Sequence, residues 1–267
     1  MFYMLGAIIG DIAGSRFGNK RMKSKEFELF SSHCHFTDDT VMTLAVAKAL
    51  IECNGNYEEL DKITEYWMRR LGRQYPRAGY GYRFFTWILS GEHNPYGSFG
   101  NGSAMRVSSV GYVTKTIEEV KDLSYKVTYI THNHPEGLKG AEAVAVCVFL
   151  AKSGSSIEEI RNYVNENYYT LDFSLDDIRD EYEFDVTCQG SVPQAITAFL
   201  ESEGFEDAIR NAIALGGDSD TLAAISGSIA EAYYGIPKEL ADKAVTYMDD
   251  YLHGILIEFN DKFGFVE

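Results

Sequence analysis

Two short stretches carry carboxylates and hydroxyls at spacings that could hold a hard metal ion. One is Leu215-Gly216-Gly217-Asp218-Ser219-Asp220-Thr221, with two acids and a threonine at i, i+2 and i+3 ahead of the apolar segment 222–234. The other is Thr37-Asp38-Asp39-Thr40, which opens the apolar segment 41–53. An Asp at a helix start has an ordinary use, because it caps free N–H groups and suits the positive end of the helix dipole. Capping accounts for either stretch alone. If both starts meet, however, four carboxylates converge. Two unit charges ~4 Å apart at an effective dielectric of ~20 repel by about 4 kcal/mol. Protons or cations must then intervene. All-oxygen donors suit Mg²⁺ or Mn²⁺ rather than zinc or copper. Four carboxylates neutralise two divalent ions, which in paired sites stand ~3.5–4 Å apart.

The elements that must position these groups read as helices. Phe2, Leu5, Ile8, Ile9 and Ile12 follow helical spacing. Gly6, Gly10 and Gly14 recur every fourth residue and leave one smooth face, so this helix is expected to be central and buried. Asp11 within it reads as a core acid bonded to backbone or as support for the metal ligands. Further helices are expected over 41–53, 57–71, 79–90, 104–113, 117–130, 136–152, 156–168, 192–201, 205–215, 221–234 and 237–259. Pro135 is placed to start its helix. Segments 18–36 and 91–102 read as loops, 131–135 as a break and 171–190 as the least helical stretch. Strand-type alternation is nearly absent. The expected fold is all-α, one domain over 1–267, without repeats or linkers.

Composition bounds the function. The chain has 267 residues, 45% apolar and 24% charged, with a formal net charge of −16. That charge opposes binding to nucleic acid or an anionic membrane, which need a basic field. The basic run Lys20, Arg21, Lys23 and Lys25 reads as a solvated loop. Cys34, Cys53, Cys147 and Cys188 form no C-x-x-C pair, so neither a thiolate zinc site nor a disulfide framework is suggested. His33 and His35 flank Cys34, a spacing that could ligate a metal but also suits exposed loop residues. No signal peptide or membrane span is legible, and a cytoplasmic monomer is expected.

Taken together, the motifs resemble the ADP-ribosylglycohydrolase family, which includes the dinitrogenase reductase-activating glycohydrolases. The matching pieces are Gly6-Ala7-Ile8-Ile9-Gly10-Asp11, Phe36-Thr37-Asp38-Asp39-Thr40, Gly100-Asn101-Gly102-Ser103-Ala104-Met105-Arg106, Thr131-His132, and 215–221. They stand in family order across almost the whole chain. The resemblance implies a compact orthogonal multi-helix bundle and a dinuclear Mg²⁺ or Mn²⁺ centre. It carries the metal ligands onto Thr37, Asp38, Asp39, Asp218, Asp220 and Thr221. It implies ADP-ribose contacts from Gly100, Asn101, Gly102, Ser103 and His132, and water activation by Asp38 or Asp39. The implied reaction removes ADP-ribose from a modified protein side chain, or a related small molecule, with arginine linkage favoured over serine. A nucleotide phosphohydrolase and a non-catalytic ADP-ribose-binding module are the alternatives. Two departures stand out. Gly18 occupies the place where several relatives carry a glutamate that can gate the metals, and Ser219 replaces a frequent threonine. Arg106 reads as a packing or pairing residue, His134 as structural, and the aromatics at 80–85 and 96–99 as mostly core.

Overall fold

The structure is a computed structural model and describes residues 3–18 and 20–264; Phe2 lies outside the described residues. Fourteen α-helices follow one another among them: α1 (Leu5–Gly14), α2 (Asp38–Cys53), α3 (Leu60–Gln74), α4 (Tyr82–Leu89), α5 (Ser108–Val113), α6 (Ile117–Tyr129), α7 (Pro135–Lys152), α8 (Ile157–Asn167), α9 (Leu175–Ile178), α10 (Cys188–Leu200), α11 (Phe205–Ile213), α12 (Ser219–Tyr234), α13 (Lys238–Ala244) and α14 (Asp250–Phe263). Single 3₁₀ turns lie at Asn101–Ser103 and Val245–Tyr247. Among the described residues the extended pairing is a single bridge between Gly100 and Thr187. The all-α reading therefore holds. No helix of the described residues is long and apolar enough to cross a membrane.

The differences from expectation lie at helix ends. Segment 237–259 is not one helix. Met248 is extended (φ −93°, ψ 151°), and Asp249 restarts the chain by accepting from the N–H groups of Tyr251 and Leu252. Its capping chemistry was present in the sequence but lay inside an unbroken apolar period. The helix expected over 79–90 begins only at Tyr82, after Gly79 takes φ 111°. The one expected over 104–113 begins at Ser108, after the 3₁₀ turn.

Helices α1 and α12 form the centre. All ten residues of α1 are buried. Its glycine face presses directly on the α12 backbone. A Cβ at Gly10 would stand 2.0 Å from the Ala223 carbonyl oxygen, and one at Gly14 would stand 2.5 Å from the Asp220 Cα. The two helices therefore touch main chain to main chain, which fixes the start of α12 relative to α1. The N-terminus of α1 has no local cap, since Met4 offers no capping side chain. Glu231 of α12 does that work, accepting from the Gly6 N–H at 3.0 Å and from the Tyr112 hydroxyl at 3.1 Å. Burial, the largest cause, pushes its carboxyl up to about 8, against the hydrogen bonds that pull it down.

Gly10→Ala should destabilise the fold by at least about 1–3 kcal/mol, the range for an overpacked core, as read by urea unfolding. Between pH 4.5 and about 8 the folded chain holds a proton on Glu231 that the unfolded chain has lost, so this group's contribution falls as pH rises. Glu231→Gln has no such proton. The difference in melting temperature, variant minus wild type, should rise from pH 5 to pH 8 in calorimetry.

Candidate active site

The start of α2 is held by Asp11 rather than by its own residues alone. Asp11 is fully buried. Its carboxylate accepts from the Thr37 N–H at 2.8 Å, the Thr37 hydroxyl at 2.6 Å, the Thr40 N–H at 3.1 Å and the Thr40 hydroxyl. Thr37 in turn caps the helix, its Oγ1 accepting from the Asp39 N–H. Asp11 thus binds backbone and also orients the acidic turn, joining the two readings the sequence offered. Asp38 sits under the 78–81 turn: its N–H donates to Ala78 at 2.8 Å.

The start of α12 is a tight turn. Gly216 takes φ 66°, a conformation that favours glycine, and Asp218 stands at the cap position. The Asn101 side-chain amide donates to Asp218 Oδ2 at 2.8 Å, tying this turn to the Gly-Asn-Gly loop. The two helix starts meet: the Thr221 hydroxyl donates to Asp39 Oδ1 at 3.3 Å. One cavity of about 530 Å³ is lined by Asp38, Asp39, Asp218, Asp220 and Thr221 on this side, and by Gly100, Asn101, Gly102, Arg106 and His132 on the other.

Two expected residues stand behind the wall rather than in it. Ser103 is fully buried, and its single hydroxyl hydrogen points to the Gly137 carbonyl at 2.8 Å with the Gly100 carbonyl 3.2 Å away, bracing the loop from within. Thr37 is buried and spends its hydroxyl hydrogen on Asp11. Gly18 also lies outside the cavity lining, with open space around it and φ 41°. Ser219 donates to the Gly217 carbonyl, and His134 caps α7. Cys34 is buried while His33 and His35 are exposed, so that trio faces apart.

His132 is buried beside Arg106, and its pKa is pulled well below the ordinary value by burial first and by that cation second. Its Nδ1 is engaged by a neighbouring hydroxyl. Arg106 donates to the Thr131 hydroxyl at 2.9 Å, and that hydroxyl stands 2.8 Å from His132 Nδ1. With Arg106 on one of its lone pairs, that hydroxyl can give its hydrogen to Nδ1, an arrangement that leaves Nε2–H as the donor. Nε2 faces Gly100 and Gly102, whose missing Cβ positions lie 3.7 and 3.8 Å away.

The acids are electrostatically costly as they stand. Burial first, and then Asp11 and Asp220, push Asp38 up to about 7. Asp39 and Asp218 are also raised well above the carboxylate range, by burial first and neighbouring carboxylates second. Among the described residues, no group of three or more His, Cys, Asp or Glu side chains is drawn into a ready coordination shell. The donor chemistry nonetheless fits a hard cation. Asp39 Oδ2 is buried without a hydrogen-bond partner, and Asp38, Asp218, Asp220 and Thr221 on the same side of the cavity offer oxygen.

The model of the family described as ADP-ribosylglycohydrolase matches residues 3–261. The chain belongs to that family. Among its relatives, ADP-ribosylhydrolase ARH3 of Gallus gallus is 26% identical, over 75% of this chain and 70% of that protein. ADP-ribosylarginine hydrolase Tri1 of Pseudomonas putida is 25% identical, over 90% of this chain and 72% of that protein. A solved structure, an ADP-ribosylglycohydrolase-related protein complex, superposes with a TM-score of 0.72 at 21% identity, covering 97% of this chain and 95% of that one; this likeness is one of fold.

Sequence reasoning left several wall residues of this ADP-ribosylglycohydrolase unassigned. Arg106 was expected to pack or pair, and it does both, over the Phe84 ring and on Thr131; it also faces the cavity. Burial, partly offset by Tyr96, pulls its pKa down to about 10, so it remains a cation. Phe184 and Val186 come from the polar stretch 171–190, and Tyr82 projects at the rim, 86% exposed. A pair of apolar residues, Phe184 and Val186, in a polar non-helical stretch was the only signal for the former.

Asp39 and Asp11 should respond oppositely to amidation in metal-free protein at pH 8. Asp39→Asn removes a carboxylate from a repelling group and should leave stability unchanged or raise it. Asp11→Asn unpairs hydrogen bonds at the start of α2 and should cost about 1–3 kcal/mol by chemical denaturation.

Proposed function

We propose that this chain is a single catalytic domain that hydrolyses the C1″ glycosidic bond joining ADP-ribose to a protein side chain, arginine above serine. The observation that carries the reading is the meeting of two acidic helix starts, from opposite ends of the chain, on one cavity with the Gly100–Gly102 loop and His132. The family match supports ADP-ribose as the group removed. The name of the Pseudomonas relative supports arginine.

Thr37, Asp38, Asp39, Asp218, Asp220 and Thr221 would hold two Mg²⁺ or Mn²⁺ ions, with Thr37 using a lone pair of its already bonded oxygen. Bound there, such a pair offsets the carboxylate charge and orients substrate oxygens. The chain's own residues do the rest. Gly100 and Gly102 let backbone N–H groups approach a diphosphate. His132 donates from Nε2, and Arg106 adds a buried cation. Asn101 keeps Asp218 in place. Asp38 or Asp39 positions the attacking water and takes its proton. The C1″–N bond breaks through an oxocarbenium-like state as the water oxygen bonds to C1″, and the guanidine leaves with the bond pair and takes up the proton given by the water, releasing arginine and free ADP-ribose.

Asp218→Asn and Asp220→Asn should each lower metal-dependent ADP-ribose release from an ADP-ribosyl-arginine peptide by more than about 100-fold. The assay runs beside an ADP-ribosyl-serine peptide and a simple phosphoester, with Mg²⁺ and with Mn²⁺. Full activity in the double variant overturns the site. Turnover of the phosphoester alone makes the chain a phosphohydrolase, and ADP-ribose binding without turnover makes it a binding module.

A further inference from the structure

The basic run 20–25 reads from sequence as a solvated loop, and Lys23 departs from that. Its ammonium donates to the backbone carbonyl oxygens of Leu215 at 2.6 Å, Tyr182 at 2.7 Å and Arg179. An ammonium has three hydrogens, and here each finds a carbonyl. None of the acceptors belongs to its own loop. Arg179 and Tyr182 open the segment 179–187 that follows α9, and Leu215 immediately precedes the Gly216-Gly217-Asp218 turn. Burial lowers the ammonium's pKa, as expected of a cation taken partly out of water.

Packing around these bonds is close. A Cβ on Gly216 would stand 2.7 Å from the Met22 carbonyl oxygen, and one on Gly217 would stand 2.4 Å from the Tyr182 ring. The Tyr182 hydroxyl donates to the Gly190 carbonyl at 2.7 Å. The far end of the same segment is fastened to the substrate loop, where the Asn101 N–H donates to Val186 at 2.8 Å. Between those two fixings Phe184 and Val186 line the cavity. Two walls of the site, the acidic turn and the 179–187 segment, are thus joined at one cation.

We propose that Lys23 is a positioning residue for this site, its ammonium fastening the turn before Asp218 to the 179–187 segment. It touches neither substrate nor reacting atoms. It sets where Asp218 and Asp220 stand relative to Asp38 and Asp39, and where Phe184 stands relative to the Gly100–Gly102 loop. The inference rests on the reading of the acids as metal ligands and concerns a residue that reading leaves out.

The sign of one measurement separates positioning from a simple charge effect. Removing a positive charge near a cation site should by itself tighten a cation. Loss of positioning should weaken it. In Lys23→Met, Mn²⁺ affinity by titration calorimetry should fall by about 10–100-fold, the range for residues that orient metal ligands. Lys20→Met removes the same charge from an exposed place in the same loop and should leave affinity unchanged or slightly tighter. Amide hydrogen exchange in metal-free protein supplies the second reading: Lys23→Met should speed exchange in both 179–187 and 215–218, and Lys20→Met in neither. Unchanged exchange in a folded Lys23→Met protein, or Mn²⁺ binding as tight as wild type, overturns the proposal. If wild type binds no Mn²⁺ while exchange still rises in both segments, the clasp stands and the metal reading falls. Should Lys23→Met fail to fold, Lys23→Gln, which keeps N–H donors on a shorter stem, is read by the same two measurements.

Discussion

Everything in this site depends on how closely α1 approaches α12. Three glycines on one face of α1 remove the side chains that would otherwise hold two helices apart. Interhelical spacing is then set by main chain against main chain. Gly14 meets the backbone at Asp220, so the acidic turn cannot shift without moving the central helix. One turn back along α1, Asp11 grips the start of α2 through Thr37 and Thr40. A single ten-residue helix therefore carries both halves of the acidic centre, one by contact and one by hydrogen bonds. The spacing of the two helix starts follows from this rigid element, and the clasp at Lys23 holds the turn ahead of Asp218 in place beside it.

That arrangement costs the chain stability. Asp39 is buried and Asp38 and Asp218 are half-buried, and desolvation first and neighbouring carboxylates second press their pKa values upward. A fold selected for stability alone would pair such groups or replace them. Asp11 shows the contrast within one site, because it is as buried as Asp39 but is saturated by donors. Asp39 keeps an oxygen with no partner. The difference between a satisfied buried acid and an unsatisfied one distinguishes scaffold from working group more sharply than burial does.

Much of this was legible in sequence because it depends on local chemistry. Helix periodicity, the glycine face and the two acid–hydroxyl starts are each visible within a few residues. The helix ends were less legible: Asp249 breaks the last segment with a cap that apolar periodicity concealed. Ser103 shows the limit of motif transfer. It belongs to the loop motif but turns inward to brace that loop, a direction fixed by the carbonyls of Gly137 and Gly100 and not by its neighbours in sequence. The tautomer of His132 was out of reach for the same reason, since it needs Arg106, Thr131 and the ring in one place.

The polar segments mislead in a consistent way. Charge runs and mixed stretches look solvated because the sequence shows their side chains but not the carbonyls that will surround them. Of two such segments, 171–190 gives Phe184 and Val186 to the cavity wall, and 20–25 braces that wall from behind through Lys23. Neither has a helix of useful length there to hold its shape, so the work falls to individual bonds between distant backbones. The resemblance leads one to expect an acid in this loop near position 18, where the chain has Gly18. Here the loop carries instead a half-buried cation, Lys23, bonded to backbone carbonyls. The same stretch of chain that could serve as a gate is in this protein tied down, which makes this side of the site a wall.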